Sequence, residues 1–448
     1  GRNWSSSLIT SSSKGAASTF SEAWYHKPLF GPYSTIEIKS LVTEIIIEES
    51  LFSQSIETNI KVVDGFDMFQ KSHLSGGEKI EIKLRRIDNN NESYSKSKNK
   101  FNITCFIADI SDHVKPKDGI QYYNITCLSE HAFINVMKSI DRAFSGNINA
   151  LVRDICKNDL NVEDISFTNK NLPVIKGIYP NLKPLDAVTW LLRNSSDEDT
   201  PFFFYETIQN GLQFNSYKEL LEQDIYKTYN NTSYYANEFE TPEYFEEAAA
   251  KILSMSSDLN MSKYHQINDG AFASTTYCID IANKNYSTVN FNKNVKENQK
   301  LNQYDSFSNK ISFDDQKFTE AYGSKDFFIS TNSLAFNDSI NYHESIKDAI
   351  SNKNSYFHSI RFMGLDVELY GDFNLAPGKV VNLKIPKSTD ANILTSEKRN
   401  AMIDMLLSGN YIVSSIAHIF DGNEYRCDVG IQKDSLSYDL DSKIVIGA

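Results

Sequence analysis

The sequence predicts a mainly β protein with α+β insertions. Apolar and polar residues alternate at period two near both ends of the chain. In the middle the apolar spacing lengthens to that of a helix, and Gly, Pro, Asn and Asp punctuate the alternating runs. Strict alternation means a strand with one dry face and one wet face, as in an antiparallel sheet or barrel.

Residues 1–33 form a Ser-rich N-terminal arm with isolated aromatics (Trp4, Phe20, Trp24, Tyr25, Phe30) and breaks at Pro28 and Pro32. It reads as a linker, or as an extended arm that packs on a neighbouring subunit. Residues 34–128 read as a first β-domain. Ile56, Thr58, Ile60 and Val62 alternate with Glu57, Asn59 and Lys61, and Ile80, Ile82 and Leu84 alternate with Glu81 and Lys83. Phe101, Ile103, Cys105 and Ile107 continue the pattern, followed by Tyr123, Ile125 and Cys127.

Residues 129–262 read as a mixed α/β region. Phe133, Val136, Met137 and Ile140 fit one helix face. Ile148, Leu151, Val152 and Ile155 fit a second, with Asn147 as its N-cap. Pro184 belongs in the first turn of a third helix, where its missing N–H costs nothing. Phe202–Glu206 and Gly211–Phe214 form a hairpin pattern, Ser216–Glu222 a further helical turn, and Thr241-Pro242-Glu243 starts an acidic-fronted helix.

Residues 263–355 are polar and loop-rich, with 284–310 expected as a loop. Residues 356–448 form a second β-domain, where alternation returns near Phe357. Leu365, Val367 and Leu369 precede Gly371, and Val381, Leu383 and Ile385 follow Pro377-Gly378. The turn Asp421-Gly422-Asn423 joins two further strands as a hairpin. Ser396–Leu407 reads as an inserted helix closed by Gly409.

The formal charge of −13 argues against a nucleic-acid-binding surface, since phosphate neutralisation needs clustered Lys and Arg. Arg85, Arg86, Lys96, Lys98 and Lys100 flank the Asn/Ser stretch 89–97 and read as a solvated hairpin loop. Five scattered cysteines (Cys105, Cys127, Cys156, Cys278, Cys427) without a Cys-x-x-Cys pair suit buried reduced thiols. No signal peptide is visible, nor an apolar run near the roughly 18 residues that span a bilayer. The chain opens Gly1-Arg2-Asn3 without an initiator Met.

Leu74-Ser75-Gly76-Gly77-Glu78 matches the signature motif of ABC-type ATPases, but that motif only completes a phosphate site held by a P-loop. The chain has no Gly-x-x-x-x-Gly-Lys-Ser/Thr, so this segment reads as a tight turn ahead of a strand. The eight histidines form no His-x-x-x-His or Glu-x-x-His pair. There is no Gly-x-Ser-x-Gly elbow, and the run Asp197, Glu198, Asp199 reads as a solvated loop. No catalytic, cofactor-binding or metal-binding residue is assigned, no cofactor is implied, and the chain reads as a non-enzyme.

Taken in order, several segments resemble the baseplate hub protein of contractile-tailed bacteriophages, of the tube-barrel family shared with type VI secretion spike proteins. They are the acidic-ended strand Ile45–Leu51, the long strand Ser55–Asp64, the Gly-Gly-Glu turn before Ile80–Leu84, and Tyr122–Leu128 running into Ser129-Glu130. Arg142–Gly146, Asn181–Leu192, Phe202–Glu206, Gly211–Phe214 and Gly371–Gly378 follow in the same order. The likeness covers roughly residues 34–435.

This resemblance implies two tube-type antiparallel β-barrel domains around the mixed α/β middle region. It implies a homotrimer that adapts a hexameric tail tube to a trimeric central spike in the virion's tail baseplate, assembled in the host cytoplasm. The expected partners are the tail tube protein, the central spike protein, the tape measure protein and the baseplate wedge proteins. DNA would pass only in transit, and this chain would insert in no membrane. The arm, the 284–310 loop and the 396–407 helix depart from a minimal hub. The alternatives are a hub or spike component of a secretion-type injection system, a cell-wall hydrolase, and a carbohydrate-binding tail protein. Only three Trp, two of them in the arm, disfavour the last.

Overall fold

The computed structural model describes all residues except 1–3, 15–32, 70–73, 87–99, 117–118, 169–171, 173, 194–199, 232–248, 259–262, 282–283, 293–299, 306–311, 314–315, 318–323, 332–341, 388–402, 423 and 439–448. The protein is mainly β with helical insertions. In chain order the N-terminal strands are β1 (Trp4–Lys14), β2 (Tyr33–Glu37), β3 (Val42–Ser50), β4 (Glu57–Asp64), β5 (Lys79–Arg86), β6 (Lys100–Val114) and β7 (Gln121–Ser129). The middle carries β8 (Ala143–Asn147), β9 (Ile165–Phe167), β10 (Val174–Ile178), β11 (Phe202–Thr207), β12 (Gly211–Ser216) and β13 (Lys227–Asn230). Then come β14 (Ile252–Asp258), β15 (Ala273–Asp280), β16 (Asn285–Asn292), the two-residue strands β17 (Tyr304–Asp305), β18 (Ser312–Phe313) and β19 (Gln316–Lys317), and β20 (Asp326–Thr331). The chain closes with β21 (Met363–Tyr370), β22 (Val380–Lys384), β23 (Gly409–Asp421), β24 (Glu424–Lys433) and β25 (Ser435–Leu436).

Thirteen of these strands form one sheet in the order β14-β21-β24-β23-β3-β4-β7-β6-β5-β1-β2, with β22 beside β23 and β13 beside β22. The two ends of the chain, expected as two barrels, thus share hydrogen bonds. The joint is antiparallel pairing of β3 with β23, from Ser50 opposite Ser415 to Glu44 opposite Asp421. Alternation decides which face is dry. Ile45, Ile47, Ile60, Val62, Ile125, Val367, Val429 and Ile431 point to one side and merge into a single apolar core that crosses the joint. Each fully buried aliphatic side chain there stabilises by roughly 1.5–3 kcal/mol.

The middle region has its own core, built from Ile148, Leu151, Val152, Val188, Leu191, Phe204 and Phe214. Its helices start where local chemistry satisfies their first N–H groups. Asn147 accepts from the Asn149 N–H, Pro184 occupies the first turn of Pro184–Leu192, and Ser216 and Glu219 form a reciprocal capping box on Tyr217–Leu221. A third unit is the sheet β16-β15-β20, packed on the long helix Tyr342–Ile360.

Several sequence expectations change. Trp4–Lys14, expected as part of a linker or of an arm extended onto a neighbouring subunit, is a strand between β5 and β2. Its two runs of three serines around Leu8-Ile9-Thr10 give no apolar stripe at period two, so the pairing comes from a neighbour's edge. Asn285–Asn292, inside the stretch expected as a loop, pairs along its whole length with β15. Phe357 lies in the long helix, not in a strand; with Tyr356 and Ile360 it packs on Leu51 and Phe203 at helical spacing. Most of the helix expected at 396–407 lies outside the described residues. Met405–Leu407 form a turn instead, held by the Asp404 carboxylate accepting from the Leu406 and Leu407 N–H groups. The helix expected from Thr241 also lies outside the described residues.

Candidate functional site, the acidic face of the sheet

The face of the sheet opposite the main core is wet, and its side chains line up across strands. Ser254 lies opposite Glu368, Glu368 opposite Asp428, Asp428 opposite Ala417, and Ala417 opposite Glu48. The row continues from Glu48 to Glu57, Leu128, Phe106 and Lys79. A register slip of one residue on any strand would turn its member of the row into the core.

Where the two ends of the chain meet, this face holds a depression of about 860 Å³. Its lining includes Glu48, Glu57, Asp366, Glu368 and Asp428, with Arg426 as the cation among them and serines (Ser50, Ser254, Ser256, Ser415) between. Arg426 lies 3.7 Å from Glu368, leaving the other carboxylates in excess. Glu48 and Glu57 face each other directly, an arrangement that destabilises an antiparallel pair. Partial burial, reinforced by Glu57, raises the Glu48 carboxyl above its ordinary range. Partial burial also raises Asp428, with Glu368 and Asp366 adding to it and Arg426 opposing. The face therefore carries negative potential that is kept at some cost in stability.

On the dry side, two constellations of acid, base and nucleophile types converge. Glu49, buried in β3, lies 3.2 Å from His418 Nε2, and His418 Nδ1 lies 2.8 Å from the Tyr425 hydroxyl and 3.4 Å from Cys427 Sγ. The other Glu49 oxygen accepts from the Ile208 N–H. Burial opposes charge on His418, but the Cys427 sulfur and the Glu49 carboxylate outweigh it and lift the imidazole to about 10. All four side chains are buried. In the second group, Glu206 accepts from Ser129 Oγ and from the Ile56 N–H, while His131 Nε2 donates to the Gln54 carbonyl. Both groups tie the middle region to the sheet through backbone partners, and Glu49 of the first also borders the depression.

Sequence reading missed both groups, although one signal was present. Glu49 sits where the alternation Ile45, Ile47 demands an apolar residue, and His418 occupies a core-facing slot of β23. The Leu74–Glu78 segment is a turn: the Glu78 carboxylate accepts from the Ser75 and Gly76 N–H groups, and Gly76 and Gly77 adopt positive φ. The five cysteines are buried thiols outside any disulfide. Among the described residues no three His, Cys, Asp or Glu side chains are grouped to hold a metal ion, and no helix is long and apolar enough to cross a membrane.

No protein-family model matches the sequence, and no curated protein matches it. Solved structures do. The tail protein from Neisseria meningitidis MC58 superposes with a TM-score of 0.54 at 10% identity, over 95% of this chain and 97% of that one. The 43 kDa tail protein of prophage MuSo2 from Shewanella oneidensis gives 0.53 at 9% identity, over 96% and 100%. The chain has the fold of a prophage tail protein. The likeness spans both ends of the chain and the middle region together.

Proposed function

We propose that this chain is a non-catalytic structural component of a phage tail, a baseplate hub subunit whose acidic sheet face lines a channel. The observation that carries the reading is the row Glu368, Asp428, Glu48, Glu57 on a tail-protein fold. A wall of that charge repels phosphates, so DNA passes without the counterion release that would hold it. The tail-protein fold, together with the resemblance of the segments from Ile45 to Gly378, supports a homotrimer in the virion. In it each copy contributes β-structure from both ends of its chain, and threefold symmetry meets a sixfold tube. Tail tube, spike, tape measure and wedge proteins are its expected neighbours. The buried Glu49–His418 and Ser129–Glu206 groups act as clasps between the regions of one subunit.

Light scattering of the purified chain, followed by electron microscopy of the particles, tests this. Rings of three copies with an open centre are expected. A compact monomer at all concentrations would sink the reading.

A further inference from the structure

The small sheet β16-β15-β20 buries polar groups of its central strand and exposes a row of aromatic ones. On the inner side of β15, against the long helix, Ser274, Thr276 and Asp280 are buried beside Cys278. The Ser274 hydroxyl donates to Ser351 Oγ at 3.1 Å, and Thr276 Oγ1 lies 2.9 Å from the same atom. The outer face carries an aromatic row among hydroxyl and amide side chains. Phe328, Tyr277 and Tyr286 run across the three strands as a ladder of near-parallel rings, with centroids 5.0 Å apart for Phe328–Tyr277 and 6.2 Å for Tyr277–Tyr286. Phe328 is 72% exposed, Tyr286 59%, Ile279 42% and Ile281 75%. Side chains of this size carry roughly 150–250 Å² each, so the exposed parts sum to about 500 Å². Apolar patches of that extent mark interaction sites on soluble proteins.

We propose that this outer face docks a second copy of this chain, deepening the ring reading on which it rests. Two observations select that occupant. The chain carries a formal charge of −13, so two copies repel unless they meet where charge is sparse. Among the outward positions of β15, β16 and β20, Asp326 is the charged one, and the remainder are aromatic, aliphatic, hydroxyl or amide. The patch also supplies the apolar centre of a contact of about 800 Å² per partner, the size of a specific interface. A ring needs two different faces on each subunit. The exposed Val174 and Ile178 of β10 supply the second.

The test compares wild type with Phe328→Lys, Val174→Lys and Ser330→Arg by light scattering, alongside thermal melting. Ser330 is an exposed residue of the same outer face, so its variant keeps the test valid where Phe328→Lys fails to fold. The expectation is a wild-type trimer, with variants that keep a cooperative melt falling to monomer mass. A trimeric wild type with any folded variant still trimeric overturns this contact and leaves the ring standing, with the face open to another tail component. A monomeric wild type overturns the ring reading itself.

Discussion

At the scale of single residues, the buried pair Glu49–His418 is the most consequential polar feature of the core. Removing one member leaves the other's charge inside an apolar environment. Glu49→Ala is therefore expected to destabilise by about 3–5 kcal/mol, read by denaturant unfolding. The pH dependence follows from the raised imidazole. A group whose folded value exceeds its unfolded value stabilises fully below the unfolded one and loses that stabilisation as pH rises through the folded one. For His418 the loss runs from its ordinary 6.5 to about 10. Unfolding free energy of wild type should fall across that window, and His418→Phe should flatten this component of the slope. A wild-type profile as flat as the variant's would refute the assignment. Gly371 supplies a steric counterpart: an added Cβ would sit 2.0 Å from the Tyr425 ring. Gly371→Ala should cost about 1–3 kcal/mol by overpacking, visible as a lowered melting temperature.

At the scale of elements, the wet face of β3, β4, β23 and β24 trades stability for charge. Glu48 and Glu57 oppose each other across β3 and β4, so Glu48→Gln should stabilise the protein. The gain should lie near the low end of about 0.2–1 kcal/mol, because the site is largely solvated and screened. A carboxyl raised in the folded state is uncharged more readily there than in the unfolded chain. Its penalty is thus present at pH 7 and relieved as pH falls through the raised value. The difference in melting temperature between Glu48→Gln and wild type should shrink on acidification towards the ordinary value of 4.5, and also in high salt. A difference that grew on acidification would contradict the repulsion. Helix starts were legible in the sequence because caps are local chemistry: Asn147, Pro184 and Ser216 each act within four residues. Strand β1 was not legible, since its partners β5 and β2 are set by an edge elsewhere in the fold.

At the scale of the whole molecule, the acidic face makes a prediction about transit. The double reversal Glu48→Lys with Glu57→Lys replaces two carboxylates of the row by two ammonium groups. Assemblies carrying it should retain double-stranded DNA at low salt and release it as salt rises, whereas wild type should retain none. Counterion release gives a slope of about −0.9 per phosphate contacted in a plot of log affinity against log salt. Equal DNA retention by variant and wild type would remove the channel role from this face. Measurement by filter binding or mobility shift across a salt series is sufficient.

The amino-acid sequence by itself determined the mainly β class, the dry and wet side of nearly every long strand, the helix caps and the turns at Gly371–Gly378 and Gly422. These are signals of period two, period 3.6 or four-residue range, and they survive without any partner. Tertiary structure alone decided that β3 pairs with β23, more than 360 residues away, and so joined two expected barrels into one sheet. It also gathered Glu48, Glu57, Glu368 and Asp428 into one row, brought Glu49 to His418, and turned Ser274 and Thr276 of β15 inward against Ser351. Alternation states which residues share a face, but strand order and the choice of which face meets solvent arise from non-local pairing, for which a linear chain carries no period.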